Sequence, residues 1–276
     1  MKKKDEVIYD AKFWKPKINE DIVLHKAYFN NYGFDKHVHE DYTIGLIYEG
    51  EMDAFVDGGK KKLNNTSVIT INPDETHACQ SQYSKGYRHY SLYLKPNFVK
   101  KFQEENFYNE ELFFSSGIFE NKYFANKLTS LIMQNEHKIN SNIDFECELI
   151  TTLNDLFLVN SKAKMPIILS EHDKMINRAK EFMNYNLHLD LSLDDISNEL
   201  DISKYHFLRL FKQKTFLSPH SYLMLKRIER AKEALQKGES IINTAYICGF
   251  NDQSHLNRRF KSFVGLTPGN YKKFFN

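Results

Sequence analysis

Cysteine is scarce in this chain of 276 residues: Cys79, Cys147 and Cys248 stand far apart, and no C-x-x-C pair exists. A disulfide framework, a zinc ribbon and a dithiol redox site are therefore poorly supported. Long apolar runs are lacking too, and nothing approaches the roughly 20 residues that a membrane-crossing helix needs. The start, Met1-Lys2-Lys3-Lys4-Asp5-Glu6, is basic but no apolar h-region follows it, so no secretory signal is read and a reduced, cytoplasmic protein is expected. Net charge is small, at +2. What is present suffices for a core: apolar residues make up 41% and charged residues 27%, and the length suits two domains.

The small net charge hides a polarity. From Lys204 to Asn276 there are fourteen Lys/Arg against four Asp/Glu, a net +10, which leaves −8 for the other 203 residues. A basic end on a near-neutral chain is the footprint of a polyanion partner, although a solvated Lys-rich helical face carries the same charge.

Residues 20 to 95 read as short strands. Ile22–Leu24, Tyr42–Tyr48, Ala54–Val56, Ser67–Ile71 and Tyr90–Leu94 are β-prone, and Glu49-Gly50, Asp57-Gly58-Gly59, Asn64-Asn65 and Asn72-Pro73-Asp74 punctuate them. That spacing suggests a sandwich or barrel. After Pro96, residues 97–105, 120–138 and 143–160 carry apolar residues at helical spacing, and Ser161–Pro166 reads as a linker. From about 171 the chain is helical.

The basic end contains a repeat. Tyr205-His-Phe-Leu-Arg-Leu-Phe-Lys212 matches Ser254-His-Leu-Asn-Arg-Arg-Phe-Lys261 at an offset of 49, and Leu217-Ser-Pro219 matches Leu266-Thr-Pro268. Each copy reads as helix, short turn, helix, over about 192–215 and 240–264. Ser192 with Asp195 forms a capping box, Ser203 and Asp252 cap the second helices, and Gly249 suits the left-handed end of a helix. A helix over 219–236, opened by Ser218-Pro219, joins the copies. Phe207, Leu210 and Phe211, like Leu256, Phe260 and Phe263, fall on an inner face. The outer stripes carry Tyr205, Leu208, Arg209 and Lys212, and Ser254, His255, Arg258 and Lys261. A helix fits the major groove, and long polar side chains on it reach base edges while flanking cations neutralise phosphates.

The stretch 171–276 resembles the DNA-binding domain of the AraC/XylS family of transcription regulators. The resemblance rests on Ser203–Lys212, on Arg227 and Ala231, on Gly249–Lys261 and on Gly265-Leu-Thr-Pro-Gly-Asn-Tyr271. It implies two recognition helices in successive major-groove segments of double-stranded promoter DNA. Carried over by position, the base-facing candidates are Tyr205, Leu208, Arg209, Gln253, Ser254, His255, Asn257 and Arg258; Lys204, Lys212, Arg227 and Lys261 are candidates for the phosphate backbone or for solvated charge. Two departures stand out: Leu208 offers only apolar contact, and Phe216 occupies a position where the family, like Gly265 in the second copy, has glycine.

Residues 1–163, with His37-Val-His39, Gly45, Gly50, Gly58 and Asn72–His77, resemble the cupin-like effector-binding and dimerisation domain of the same family. The expected fold is therefore α+β in two domains: a cupin-like β-barrel with flanking helices, then an all-α tandem helix-turn-helix. Residues two apart on a strand share a face, so His37 and His39 would converge, with His77 joining from a loop. Three readings stay open: a transition-metal site of His37, His39 and His77; an effector pocket of these with Trp14, Tyr42 and Tyr48; or structural histidines. Thr43 stands where a cupin metal motif has Glu, which counts against the metal and against an isomerase or dioxygenase, the enzymatic alternative. No cofactor is required. An alkyl-transfer DNA-repair sensor would need a reactive, metal-clustered cysteine, and Cys79 and Cys147 are isolated. Leu149, Leu153 and Leu156 are candidates for a homodimer contact or for intramolecular packing. The expected partners are promoter DNA, a small-molecule effector and, for an activator, RNA polymerase; no membrane is implied.

Overall fold

Turn chemistry cuts the first half of the chain into short strands, which bury their apolar faces by layering. The computed structural model describes residues 7–30, 33–56, 58–80, 86–105, 112–115, 117–139, 141–163 and 170–275. They group into two units, Met1–Asp35 with Glu40–Met165, and Lys36–His39 with Pro166–Asn276. The expected linker runs into 164–169, which lie outside the described residues.

The first unit begins with nine strands: β1 (Val7–Trp14), β2 (Ile22–Asn30), β3 (Gly33–His37), β4 (Tyr42–Gly50), β5 (Met52–Val56), β6 (Gly59–Leu63), β7 (Ser67–Ile71), β8 (His77–Gln80) and β9 (Tyr87–Leu94). Then follow α1 (Pro96–Glu105), β10 (Leu112–Phe114), β11 (Ile118–Glu120), α2 (Lys122–Glu136), α3 (Asn142–Asn160) and β12 (Ser161–Ala163). One sheet has six strands in the order β1-β2-β9-β4-β7-β11, a second has four in the order β3-β8-β5-β6, and β10 pairs with β12. The layers are cupin-like, but the two sheets stay separate where a closed barrel was expected.

Alternation along the central strands decides what each face buries. Ile22 and Leu24, Ile44 and Leu46, Tyr90 and Leu92 point to the side of the six-stranded sheet covered by α1, α2 and α3. Ala27, Phe29, Ile47, Ile69 and Tyr87 point the other way, to Met52, Ala54, Val56 and Leu63 of the four-stranded sheet. Leu149, Leu153 and Leu156 are at most 1% exposed in the helix-covered core, so of the two readings offered for them the structure takes intramolecular packing over a dimer contact.

The second unit is helical: α4 (Glu171–Tyr185), α5 (Leu193–Glu199), α6 (Lys204–Thr215), α7 (Pro219–Gln236), α8 (Ile241–Ile247), α9 (Gln253–Val264) and α10 (Pro268–Lys272). Side-chain caps start every one of them: Ser170, Ser192, Ser203, Ser218, Ser240, Asp252 and Thr267 each accept a backbone N–H of the first turn. Ile176, Ala179, Met183, Ile196, Phe207, Leu210, Phe211 and Tyr222 form the core around α4–α7.

Candidate nucleic-acid interface

The two helix pairs repeat one set of local devices. In the first, α5 ends with Asp201 in the left-handed region (φ 54°). Asp201 N–H donates to Asn198 O and Ile202 N–H to Ser197 O, the two bonds of a Schellman ending. In the second, α8 ends on Gly249 (φ 75°), with Gly249 N–H to Tyr246 O and Phe250 N–H to Ala245 O. Ser203 and Asp252 then restart the chain as α6 and α9, twelve residues each. The helices α6 and α9 keep the 49-residue offset, whereas the caps of α5 and α8, Ser192 and Ser240, are 48 apart. The second turn is one residue longer, with three residues between C-cap Cys248 and N-cap Asp252 against two between Leu200 and Ser203.

Both second helices bury one stripe and present the other. Phe207, Phe211, Leu256 and Phe260 are fully buried. On α6, Tyr205 is 77% exposed, Arg209 and Lys212 are exposed and Leu208 is half-buried. On α9, Gln253, Ser254, Arg258 and Lys261 are exposed and His255 and Asn257 are half-buried. The linking helix α7 packs against both α6 and α9. The stop signals match as well: Phe216 (φ 57°) and Gly265 (φ 83°) are both left-handed, with N–H groups bonded to Lys212 O and Lys261 O. Phe216 thus takes the glycine conformation without being glycine, and its side chain bears the steric cost that Gly265 avoids.

Electrostatics separate the cations. Lys204 is held by Asp194 of α5 at 3.0 Å, which raises its pKa and ties it to the scaffold. Arg227 is a correction to the expectation of a phosphate contact or a solvated charge. It is 6% exposed, and donates from Nε to Leu187 O (2.8 Å) and from Nη2 to Leu189 O (2.7 Å). Burial lowers its pKa. Arg227 is therefore a strut between α7 and the loop after α4. A Cβ on Gly249 would stand 3.1 Å from its Cζ and 2.5 Å from Leu187 O, so that glycine serves both the turn and the strut. His255 packs edge-on against Phe250 (5.5 Å), and burial, with the Arg259 and Arg258 charges, lowers its pKa.

The candidate effector residues of the first unit separate. Trp14, Tyr42 and Tyr48 lie on the helix-covered side of the six-stranded sheet: Trp14 Nε1 donates to Asn135 Oδ1 (2.9 Å), Tyr48 stacks on Tyr90 (4.6 Å) and Tyr42 is 3% exposed. His77 belongs to β8 of the four-stranded sheet, not to a loop, with Nδ1 3.0 Å from Glu75 O. β3 stops at His37, so His39 does not continue its strand, yet the two rings do come together, with centroids 6.2 Å apart, and both fall in the Lys36–His39 segment of the second unit. Among the described residues, no group of three or more His, Cys, Asp or Glu is placed to hold a metal ion. Burial pushes the Cys79 and Cys248 thiols up to about 12, far from a reactive thiolate.

Two imidazoles that no sequence motif marks, His25 on β2 and His89 on β9, meet at 5.0 Å, with His25 stacked on Phe13 at 4.0 Å. Burial lowers the His89 pKa to about 4. Only the strand alternation around Ala27 and Ile47 would have placed them inward, and each is a lone histidine in its run.

Comparison with known proteins gives two family matches: an AraC-like ligand binding domain over residues 19–149 and a helix-turn-helix domain over 196–273. The uncharacterized HTH-type transcriptional regulator YbfI of Bacillus subtilis is 28% identical over 227 residues, 81% of each chain. The TetD protein of transposon Tn10 from Escherichia coli is 31% identical over 103 residues, covering 37% of this chain and 75% of TetD. Among solved structures, ToxT from Vibrio cholerae with an unsaturated fatty acid bound superposes with a TM-score of 0.60 at 16% identity, covering 94% of this chain and 97% of that one.

Proposed function

The chain belongs to the AraC/XylS family, as a DNA-binding transcription regulator with an N-terminal ligand-binding domain, and we propose that α6 and α9 are the helices with which it reads promoter DNA. The observation that carries this reading is the duplication itself. Two twelve-residue helices end in the same left-handed cap, bury the same stripe against one linking helix, and leave Arg209 and Lys212, or Arg258 and Lys261, exposed at equivalent places. Arg209 and Arg258 are the groups for guanine edges, Tyr205 and Leu208 offer apolar contact to thymine methyls, and Gln253, Ser254, His255 and Asn257 supply short polar reach. Lys212 and Lys261 neutralise phosphates; Lys204 contributes only after leaving Asp194.

In this reading a small molecule held by the first unit biases the regulator between two states, by no more than its difference in affinity for them. A cytoplasmic location on the nucleoid, a homodimer and, for an activator, contact with RNA polymerase complete the proposal; no helix among the described residues is long and apolar enough to cross a membrane. The test is Arg209→Ala. A bidentate Arg–guanine pair is worth roughly 1–3 kcal/mol, so specific affinity should fall about 5- to 150-fold while binding to competitor duplex changes little. Equal loss on both would remove Arg209 from base readout.

A further inference from the structure

The last turn of α2 ends in a carboxylate that the helix's own dipole does not favour. Glu136 closes the helix where the macrodipole is negative, and no basic residue stands in that turn to offset it. Its side chain is only 8% exposed. Three donors from three adjacent strands surround it: Lys26 Nζ of β2 at 3.3 Å, Tyr90 OH of β9 at 3.3 Å and Lys12 Nζ of β1 at 3.6 Å. These contacts are longer than the roughly 2.7–2.9 Å of a charge-assisted N–H···O bond. Flat rings wall it. Lys12 lies 5.2 Å over Trp14, Lys26 lies 5.9 Å over Tyr90, and Tyr48 stacks on Tyr90. The neighbouring guanidinium of Arg88 is already engaged by Glu49 at 3.0 Å.

We propose that Lys12, Lys26 and Tyr90 form a carboxylate-binding subsite in which Glu136 is the resident, displaceable anion. Its ligand is a small molecule with one carboxylate on a flat apolar body. The two ammonium groups and the phenol are geometrically indifferent to whether the carboxylate is tethered to α2 or free. A free carboxylate escapes both the helix dipole and the tether, and its body is covered by Trp14 and Tyr48. Occupancy expels Glu136 and releases the Trp14–Asn135 hydrogen bond beside it, loosening the end of α2. This rests on the effector-binding reading of the first unit.

Trp14 is the chain's single tryptophan, so its emission reports on the site without a label. The experiment titrates the full chain with benzoate, and with benzamide and benzylamine as uncharged and cationic counterparts, at constant ionic strength. Benzoate should change Trp14 emission saturably and raise the melting temperature, and the other two should not. Glu136→Gln, which keeps size and removes the competing charge, should bind benzoate about tenfold more tightly. Lys26→Met should lose the response. The proposal is overturned if Glu136→Gln binds benzoate no better than the parent chain, or if benzamide matches benzoate. Should Glu136→Gln not fold, the Lys26→Met arm decides alone: a retained benzoate response in it overturns the site. Promoter binding is measured on the same preparations. Intact DNA binding without a benzoate response sinks this subsite alone, whereas absent DNA binding sinks the regulator reading.

Discussion

Replacing Arg227 by Met distinguishes a strut from a DNA contact with two measurements. Methionine keeps much of the buried volume but donates nothing. Leu187 O and Leu189 O then lose their charged donor within the fold. Hydrogen bonds to charged groups contribute roughly 1.5–3 kcal/mol each, and relief of the desolvated guanidinium returns part of that, so the net loss should be about 2–4 kcal/mol. For a domain near 100 residues each kcal/mol moves Tm by about 4–8 °C, which places the drop at about 8–32 °C. The assay is calorimetry of the full chain, followed well below the transition by promoter titrations at several salt concentrations. A strut predicts the drop in Tm with an unchanged slope of log affinity against log salt. A phosphate contact predicts an unchanged Tm and a slope shallower by about 0.9. Observing the second pattern would refute the burial argument. Gly249→Ala should mimic the first, because its Cβ would meet both Leu187 O and the guanidinium.

Asp252→Ala removes the N-cap of α9 and should cost about 1 kcal/mol of stability, read by urea unfolding, with little change in the slope of the transition. Asp173, bonded by Lys214 and by its capping partner Ser170, has its pKa depressed from 3.8 to about 2. A depressed carboxylate stabilises the fold fully above 3.8 and loses that contribution as pH falls towards 2, so Asp173→Asn should flatten the acid limb of unfolding in that window. His89 is depressed from 6.5 to about 4, so the unfolded chain binds the extra proton between those values. Stability of the first unit should therefore climb as pH rises from 4 to 6.5, by roughly 3 kcal/mol at most, and His89→Gln should abolish that slope in a melting series.

How far the residues announced this architecture differed between the halves for physical reasons. In the basic end, periodicity, caps and a repeat agree, so Ser192, Ser203, Ser218 and Asp252 were legible as helix starts and Phe207, Phe211 and Phe260 as core. What escaped was backbone that the side chain does not advertise: Asp201 and Phe216 in the left-handed region, and the extra residue in the second turn. Arg227 escaped because a buried guanidinium and a solvated one look alike until the carbonyls that bind it are placed. In the first half, β6 is Gly-Lys-Lys-Lys-Leu, a sheet-edge strand protected by charge, and it reads as loop. β8 has four residues. The Glu136 cradle draws on β1, β2, β9 and α2, residues up to 124 positions apart, and no local pattern can bring them together.

The duplicated halves also show where fold and recognition part company. Inner-stripe residues are held to large apolar types in both copies, since Phe211 and Phe260 each fill a fully buried place. The outer stripes agree in His, Arg and Lys, at 206 and 255, 209 and 258, and 212 and 261, and otherwise diverge: Tyr205 faces solvent where the second copy has Ser254, and Leu208 where it has Asn257. On the first stripe a 77% exposed tyrosine stands beside a half-buried leucine. In the proposed reading those two side chains supply contact area on DNA, and the polar Ser254 and Asn257 supply hydrogen-bonding reach. The two helices should therefore read unlike half-sites. Exchanging Tyr205 and Leu208 for Ser and Asn should move the preference of α6 towards the half-site read by α9, measured by selection from a randomised duplex library. An unchanged selected sequence would return both stripes to the role of solvated surface.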